Sequence, residues 1–342
     1  MSTTEVLGLV DHHKLASFIS SVAPTGSSFE VEVLSGGMSN LTYLVTSGEH
    51  EYVVRRRPLG KVAAGAHDMG REYRVLAALR DTELPIPRAF GYCDDESIVG
   101  APFYVMSRVH GYVFHRPEDV KDLTPGQGAA ISDEVTKVLQ QLHGVDYNMV
   151  GLGELGRPEG FVGRRITRWL DQWNRVEHRD HPMLESLSPR LQAALPEQEY
   201  STLVHGDYRL GNMLIALDDP VRVTAVLDWE MSTLGDPLTD LAHLMVYWDP
   251  TRGRVTHEAQ LIAQRPGFVS SSALARRYGE LTGRNLEHLD FYLAFEHWRA
   301  AIIKEGIYMR RINAGQVDQS TEDFGATVDL HLQETAELLD SV

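Results

Sequence analysis

The stretch from Leu203 to Trp229, LVHGDYRLGNMLIALDDPVRVTAVLDW, sets three oxygen-bearing side chains at short, regular intervals. Asp207 follows a His-Gly pair, Asn212 lies five residues further on, and Asp228 ends the apolar run TAVLD. A carboxylate can accept the proton of an attacking hydroxyl, and an amide oxygen beside a second carboxylate gives hard ligands for Mg ions on a polyphosphate. These are the requirements of phosphoryl transfer. Taken singly, each residue reads equally well as a turn or helix-cap residue. The joint pattern, a loop His-Gly-Asp-x-x-x-x-Asn between two β segments with an Asp-Trp closing the second, has few structural reasons to exist and points to a catalytic centre.

This segment resembles the catalytic core of the aminoglycoside-phosphotransferase family. The resemblance implies that Asp207 orients or deprotonates an acceptor hydroxyl, and that Asn212 and Asp228 bind Mg2+, with Trp229 in place of the aromatic residue of an Asp-Phe-Gly motif. His205 would be a scaffold residue of the loop. Arg209, two residues after the Asp, would clamp transferring phosphate charge. In GDPLTDLA, Asp236 and Asp240 resemble the residues that brace the catalytic loop from a following helix. A cap at Asp236 with Pro237 in the first turn explains the local chemistry as well, and the structural reading is preferred for both.

A kinase also needs a loop over the phosphates, a cation on them, and a helix carboxylate to hold that cation. LSGGMSN is a turn between strands in which Gly36 and Gly37 permit close backbone approach to phosphate, with Ser39 and Asn40 as further donors. On the resemblance, Arg55 at the end of YVVR stands where the family has its ATP-binding Lys, and Glu72 in REYRVL matches its helix partner. Arg for Lys keeps the charge and replaces a compact ammonium with a planar fork. Strand alternation puts Arg57 on the Arg55 face as a second phosphate ligand, and Arg56 on the other face in solvent. FYVMSRVHG resembles the hinge between lobes, where Met106, Ser107 and Val109 would meet the adenine.

The elements that must position these groups follow from periodicity. Phe29 to Val54 reads as antiparallel strands around a Gly-containing turn, and His67 to Arg80 as a helix with Tyr73, Leu76 and Leu79 at helical spacing. From Asp119 onward the chain is mostly helical, interrupted by the HGDYRLGN loop and two short β segments, and GLGELGRPEGF reads as a surface connection. The expected fold is α+β, a protein-kinase-like pair of lobes: residues 1–108 a small antiparallel sheet that binds nucleotide, residues 109–342 a helical lobe that binds the acceptor.

The chain of 342 residues is long enough to bury such cores unaided. Its one cysteine, Cys93, excludes a disulfide framework or a multi-Cys zinc site, suits a reducing compartment and reads as a buried thiol. No apolar run approaches the roughly 20 residues of a membrane helix, and the opening residues lack a signal-peptide pattern, so a cytosolic protein is expected. A net charge of -16 disfavours nucleic acid and anionic membrane as partners.

The stretches SGGMSNLTYLV, EYVVRRRP, HDMGREYRVL, APFYVMSRVHG and HGDYRLGN together resemble the branch of this family that includes the kinase-like domain of certain acyl-CoA dehydrogenases. That branch is associated with hydroxyacyl-CoA thioesters, while other family members act on aminoglycosides, choline or sugars. Cationic residues on GRRITRWLDQWNR, among them Arg165 and Arg168, suit an anionic acceptor. Trp169 and Trp173 on the same helix, and Trp298 and Lys304 on FEHWRAAIIKEGIYMRR, could stack on it or pair with it. The same residues read equally as helix core and solvated face. Two other functions compete: a weakly active nucleotide-binding pseudokinase, motivated by Arg55, and a Mg-dependent phosphohydrolase, disfavoured by the hinge and the Glu72–Arg55 pair.

Overall fold

The structure, a computed structural model, describes residues 6–35, 40–58, 68–250, 254 and 256–342. Gly36, Gly37 and Ser39 of the expected phosphate turn lie outside the described residues. The N-terminal elements are α1 (His12–Val22), β1 (Glu30–Ser35), β2 (Leu41–Ser47), β3 (His50–Arg56), α2 (Met69–Leu79), β4 (Ala89–Cys93), the short α3 (Glu96–Val99) and β5 (Phe103–Ser107). The strands form one antiparallel sheet in the order β1-β2-β3-β5-β4.

Strand alternation sorts the side chains of this sheet into two cores. Leu41, Tyr43, Val45, Val54, Phe103 and Val105 bury against Leu15 and Ile19 of α1. Val53, Tyr104 and Met106 point the other way, to Val75, Leu76 and Leu79 of α2. This second face is continuous with the core of the helical region. One core therefore runs across the expected boundary at 108/109.

The same alternation corrects one expectation. Arg56 is buried, not solvated: its Nε donates to the carbonyl of Arg57 at 2.9 Å and its Nη1 to that of Val99, so backbone oxygens replace water around the charge. Arg57 is half exposed and pairs with Glu96 at 3.4 Å, which takes it away from a phosphate role.

The C-terminal elements are α4 (Pro125–His143), α5 (Phe161–Trp173), α6 (Pro182–Ala193), β6 (Thr202–Val204), β7 (Met213–Ala216), β8 (Arg222–Val226), β9 (Thr233–Gly235), α7 (Leu238–Trp248), α8 (Ser271–Thr282), α9 (Leu289–Asn313) and α10 (Gln319–Leu339). The α4 start is set by a capping box, Thr124 with Gln127, and Pro125 in the first turn. The connection GLGELGRPEGF is more than surface: Leu152 and Leu155 are buried, and Arg71 of α2 donates to the carbonyls of Leu155 and Ser232, each at 2.8 Å. No helix among the described residues is long and apolar enough to cross a membrane.

Two short ladders hold the His-Gly-Asp loop. β6 pairs with β9, and β7 pairs with β8 in a register that sets Met213 opposite Val226. That register places Asn212 beside Leu227, whose amide donates to the Asn212 carbonyl at 2.8 Å, and so brings Asn212 next to Asp228. Gly206 adopts φ 83, and a Cβ there would meet the carbonyl oxygen of Met231 at 2.7 Å, so both backbone angle and space call for glycine.

The loop is fixed from α7. Asp240, 1% exposed, accepts the amides of His205 at 2.6 Å and Gly206 at 2.8 Å, and lies 3.3 Å from Nε2 of His143 at the end of α4. Asp236 accepts the amide of Leu238 at 3.0 Å and the hydroxyl of Tyr292 at 2.6 Å. The cap reading holds for Asp236, while Asp240 is a brace on the loop. Asp240→Ala should therefore cost about 3–5 kcal/mol, as loss of a buried charged partner does, and not the ~1 kcal/mol of a lost cap. Equilibrium unfolding in urea separates the two.

Candidate active site

Asp207 sits between β6 and β7 with its side chain 28% exposed. Its Oδ2 accepts Nδ2 of Asn212 at 2.6 Å, and the same amide nitrogen reaches the Asp207 carbonyl at 2.9 Å. Asn212 thus commits its NH2 group to Asp207, and its amide oxygen is the atom of ligand chemistry. Nε of Arg209 lies 3.2 Å from Asp207 Oδ1, and Nε2 of His243 lies 2.8 Å from the same oxygen. Burial pushes the Asp207 carboxyl up, but the bond from His243 and the charges of His243 and Arg209 outweigh it and hold the group below the usual carboxylate range. His205 supports the loop from within: its Nε2 donates to the Leu227 carbonyl at 3.0 Å and its Nδ1 accepts the Asp207 amide at 3.2 Å. Burial keeps it neutral, the form this pattern requires.

Asp228 follows β8 in the left-handed region, φ 67, rare for a residue with a side chain and a mark of backbone held in place for a purpose. Its Oδ1 accepts Nη2 of Arg55 at 2.7 Å, while Nη1 of Arg55 lies 3.1 Å from Oε1 of Glu72. The fork of Arg55 therefore spans two carboxylates, one on α2 and one after β8. Glu72 also accepts the amide of Trp229 at 3.2 Å, which ties α2 to the Asp-Trp turn. Burial pushes the Glu72 carboxyl up to about 7, against the downward pull of Arg55. Asn40 Nδ2 reaches Oε2 of Glu230 at 3.4 Å, linking the strand after the Gly turn to the same place.

The donor set fits magnesium. Asn212 supplies an amide oxygen and Asp228 a carboxylate on adjacent backbone, and no group of three His, Cys, Asp or Glu that could hold a metal occurs among the described residues. Two hard oxygen ligands suit an ion that keeps waters and takes its remaining ligands from phosphates.

At the expected hinge, Met106 is buried, the amide of Ser107 donates to the Arg88 carbonyl at 2.8 Å, and Ser107 Oγ accepts the Arg88 amide at 3.0 Å. The Ser107 carbonyl and Val109 amide come just after this locked end of β5.

The acceptor candidates divide. Arg165 stacks on Phe161 and lies within electrostatic reach of Arg299, Glu296 and Asp240; burial and Arg299 lower it to about 10, still cationic at neutral pH. Arg168 is exposed, and Trp169 packs at the edge of the core. Trp298 is 0% exposed and donates to Ser188 at 3.2 Å, and Trp173 is buried with its ring stacked on His178 at 3.8 Å; neither has a face for an acceptor. Lys304 is buried as well, donating to the Thr256 carbonyl at 3.0 Å over the ring of Phe324. Helical periodicity finds an inward face without saying whether it meets core or ligand.

Sequence reasoning missed His243, Glu296 and Arg299. His243 stands three residues after Asp240, on the same face of α7, and that spacing was the available signal.

Residues 30–323 match the model of the phosphotransferase enzyme family APH. Acyl-CoA dehydrogenase family member 10 of Mus musculus is 33% identical over 316 residues, covering 90% of this chain and 29% of that protein, so the chain spans under a third of this relative. A crystal structure from Ralstonia eutropha JMP134, assigned to the aminoglycoside phosphotransferases, superimposes with a TM-score of 0.83 at 32% identity, covering 97% of this chain and 98% of that one. The aminoglycoside phosphotransferase APH(4)-Ia, in a ternary complex with AMP-PNP and hygromycin B, shares the fold at a TM-score of 0.60 and 19% identity, covering 94% of this chain and 98% of that one. With its loop carboxylate, its Asn–Asp pair and its Arg–Glu link all set on this fold, the chain belongs to the APH phosphotransferase family.

Proposed function

We propose that the chain is a small-molecule kinase that moves the γ-phosphoryl group of Mg-ATP to an acceptor hydroxyl, with an anionic metabolite such as a hydroxyacyl-CoA as the acceptor class. The observation that carries this reading is the convergence of Asp207, Asn212 and Asp228, joined through Arg55 and Glu72 to the sheet. Relatives named for acyl-CoA dehydrogenases favour a CoA thioester, and the cations Arg165, Arg168 and Arg209 favour an anion over a polycationic aminoglycoside. The single partly buried Cys93 suits the cytoplasm.

On this reading the residues divide the work. Asp207, held ionised, accepts a hydrogen bond from the acceptor hydroxyl and orients it; a carboxylate of such low basicity takes the proton late, which a loose transition state tolerates. Arg209 reaches from Asp207 toward the transferring group. Asn212 and Asp228 hold magnesium, which when bound neutralises charge on the phosphates. Glu72 holds Arg55 on the nucleotide side, and Asn40, Met106, Ser107 and Val109 line the nucleotide.

One observation favours a second reading. Arg55 already occupies Oδ1 of Asp228 at 2.7 Å, where a metal ligand is needed, as a nucleotide-binding pseudokinase would have it. Arg55→Lys decides between the two. A Lys reaches Glu72 but lacks the second arm, and the change is not conservative where a fork spans two carboxylates, so an enzyme that uses Arg55 should lose transfer, whereas a blocked protein should gain transfer it lacked.

The primary test is transfer from γ-labelled Mg-ATP into hydroxyacyl-CoAs, aminoglycosides, choline and sugars. Asp207→Asn should lower transfer by about 10²–10⁴-fold and leave Mg-ATP affinity unchanged by calorimetry. Undiminished transfer removes Asp207 from the mechanism. The nucleotide side carries a pH signature. Glu72 is ionised above about 7 and protonated below it, so its hold on Arg55 is present at higher pH and lost as pH falls. Mg-ADP affinity should weaken as pH falls through that value, and Glu72→Gln should bind weakly throughout, with the step gone.

A further inference from the structure

His243 faces charged groups from every side. From the His-Gly-Asp loop come Asp207, 2.8 Å from Nε2, and Arg209, whose guanidinium lies over Tyr247 at 5.4 Å. From α9 come Glu296, whose Oε2 is 3.1 Å from Nδ1, and Arg299, whose Nη2 is 2.6 Å from the same nitrogen. Arg299 Nε in turn donates to Glu296 at 2.9 Å, and Arg165 of α5 acts on both. On α7 itself the Tyr247 ring lies 4.7 Å from the imidazole, with the tilted ring of His257 beyond it at 4.0 Å. His243 is 5% exposed at the side chain, so these groups stand in for water.

An ionised carboxylate can only accept, so Nε2 must carry a hydrogen toward Asp207. Nδ1 is different, because its two neighbours are of opposite kinds. Bearing a proton, it donates to Glu296. Without one, it accepts from Arg299. Each state offers the ring a partner already in place, and in both the Nε2–H stays on Asp207; when Nδ1 carries its proton, Arg299 Nη2, which can only donate, draws back onto Glu296, which it already reaches. Burial pulls the imidazole down, while the bonds to Asp207 and Glu296 outweigh it and lift it above its ordinary value.

We propose that His243 is a positioning residue for Asp207 whose hold on the carboxylate is independent of its own charge, with Glu296 and Arg299 serving as alternate partners of Nδ1. The functional meaning rests on the reading of Asp207 as the group that orients the acceptor hydroxyl. His243 and Asn212 each take one carboxylate oxygen, His243 through Oδ1 and Asn212 through Oδ2, which fixes the rotation of the carboxylate and directs the remaining lone pairs toward the acceptor. A hydrogen bond lost whenever the imidazole titrated would let that rotation drift with pH. The paired opposite charges on α9 prevent this.

The test needs no acceptor and no turnover. In 15N-labelled full-length protein, the imidazole nitrogens of His243, assigned by His243→Gln, are followed through a pH titration by NMR. Nε2 is expected to remain protonated on both sides of the titration while Nδ1 gains and loses its proton. In Asp207→Asn the titration of His243 should move down by about one unit or more, as loss of an adjacent carboxylate requires. An Nδ1–H tautomer at high pH, or a titration unmoved by Asp207→Asn, overturns the proposal. Because the signal is read without phosphoryl transfer, an inactive protein with these properties would overturn the kinase reading and leave the role of His243 standing.

Discussion

A carboxylate sealed from water is a heavy cost unless its oxygens are met by donors of good geometry. Asp240 meets that condition with two successive amides of the His-Gly-Asp loop and the ring of His143. The exchange works in both directions. The loop amides would otherwise be unpaired where the chain leaves β6 and turns at Gly206, and α7 would carry a stranded charge. Satisfying one set with the other fixes the loop relative to α7, and α7 is also the element that carries His243 to Asp207. The His-Gly-Asp loop is thus positioned by the helix that follows it as well as by its own short strands.

A second constraint joins the sheet to this centre. Arg55 on β3 and Glu72 on α2 lie on the sheet face that shares its core with the helical region, and both reach the turn after β8: Arg55 through Asp228, Glu72 through the amide of Trp229. A shift of α2 would break the contacts of Glu72 with the Trp229 amide and with Arg55 together. Trp229 is buried where these meet, its indole nitrogen donating to the Val226 carbonyl at 3.0 Å and its ring 4.8 Å from that of His205. An aromatic side chain at this position plugs the junction between the Asp207 loop and the Asp228 turn, so its size matters more than its identity.

What the sequence made legible follows the range of each interaction. Asp207, Asn212 and Asp228 fall within one continuous segment, and a ladder register only two strands wide brings them together, so spacing alone carried the pattern. Arg55 and Glu72 were legible through the family resemblance, which sets them at a strand end and in the first turn of a helix. The His243–Glu296 contact joins residues 53 apart, across α7 and α9, and no local pattern encodes it. The acceptor side was hardest for a related reason. Trp298 and Lys304 share an inward helix face with true core residues, and only the packing of α9 against its neighbours decides that Trp298 meets Ser188 and Lys304 meets a carbonyl of residue 256. Arg56 was misread because alternation gives the face of a strand residue and not what covers that face; here α1 and Val99 do.

The Arg55 fork bears on how such a site can wait for its ligands. A Lys ammonium beside Glu72 would satisfy one carboxylate and leave Asp228 exposed to its neighbours Glu72 and Glu230, all of one sign. The guanidinium has parallel donors on a rigid frame and can meet Glu72 and Asp228 at once, at 3.1 and 2.7 Å. Among the described residues the carboxylates Glu72, Asp228 and Glu230 outnumber the cation Arg55 at this place, and an excess of negative charge in a partly buried place favours a divalent ion. On the kinase reading, Asp228 would hold magnesium and the arm of Arg55 that meets Asp228 would pair with phosphate oxygens. Arg in place of Lys is then a means of holding the Asp228 turn in its left-handed conformation before the nucleotide arrives, and the strain of that turn is met by a bond within the protein rather than by the ligand.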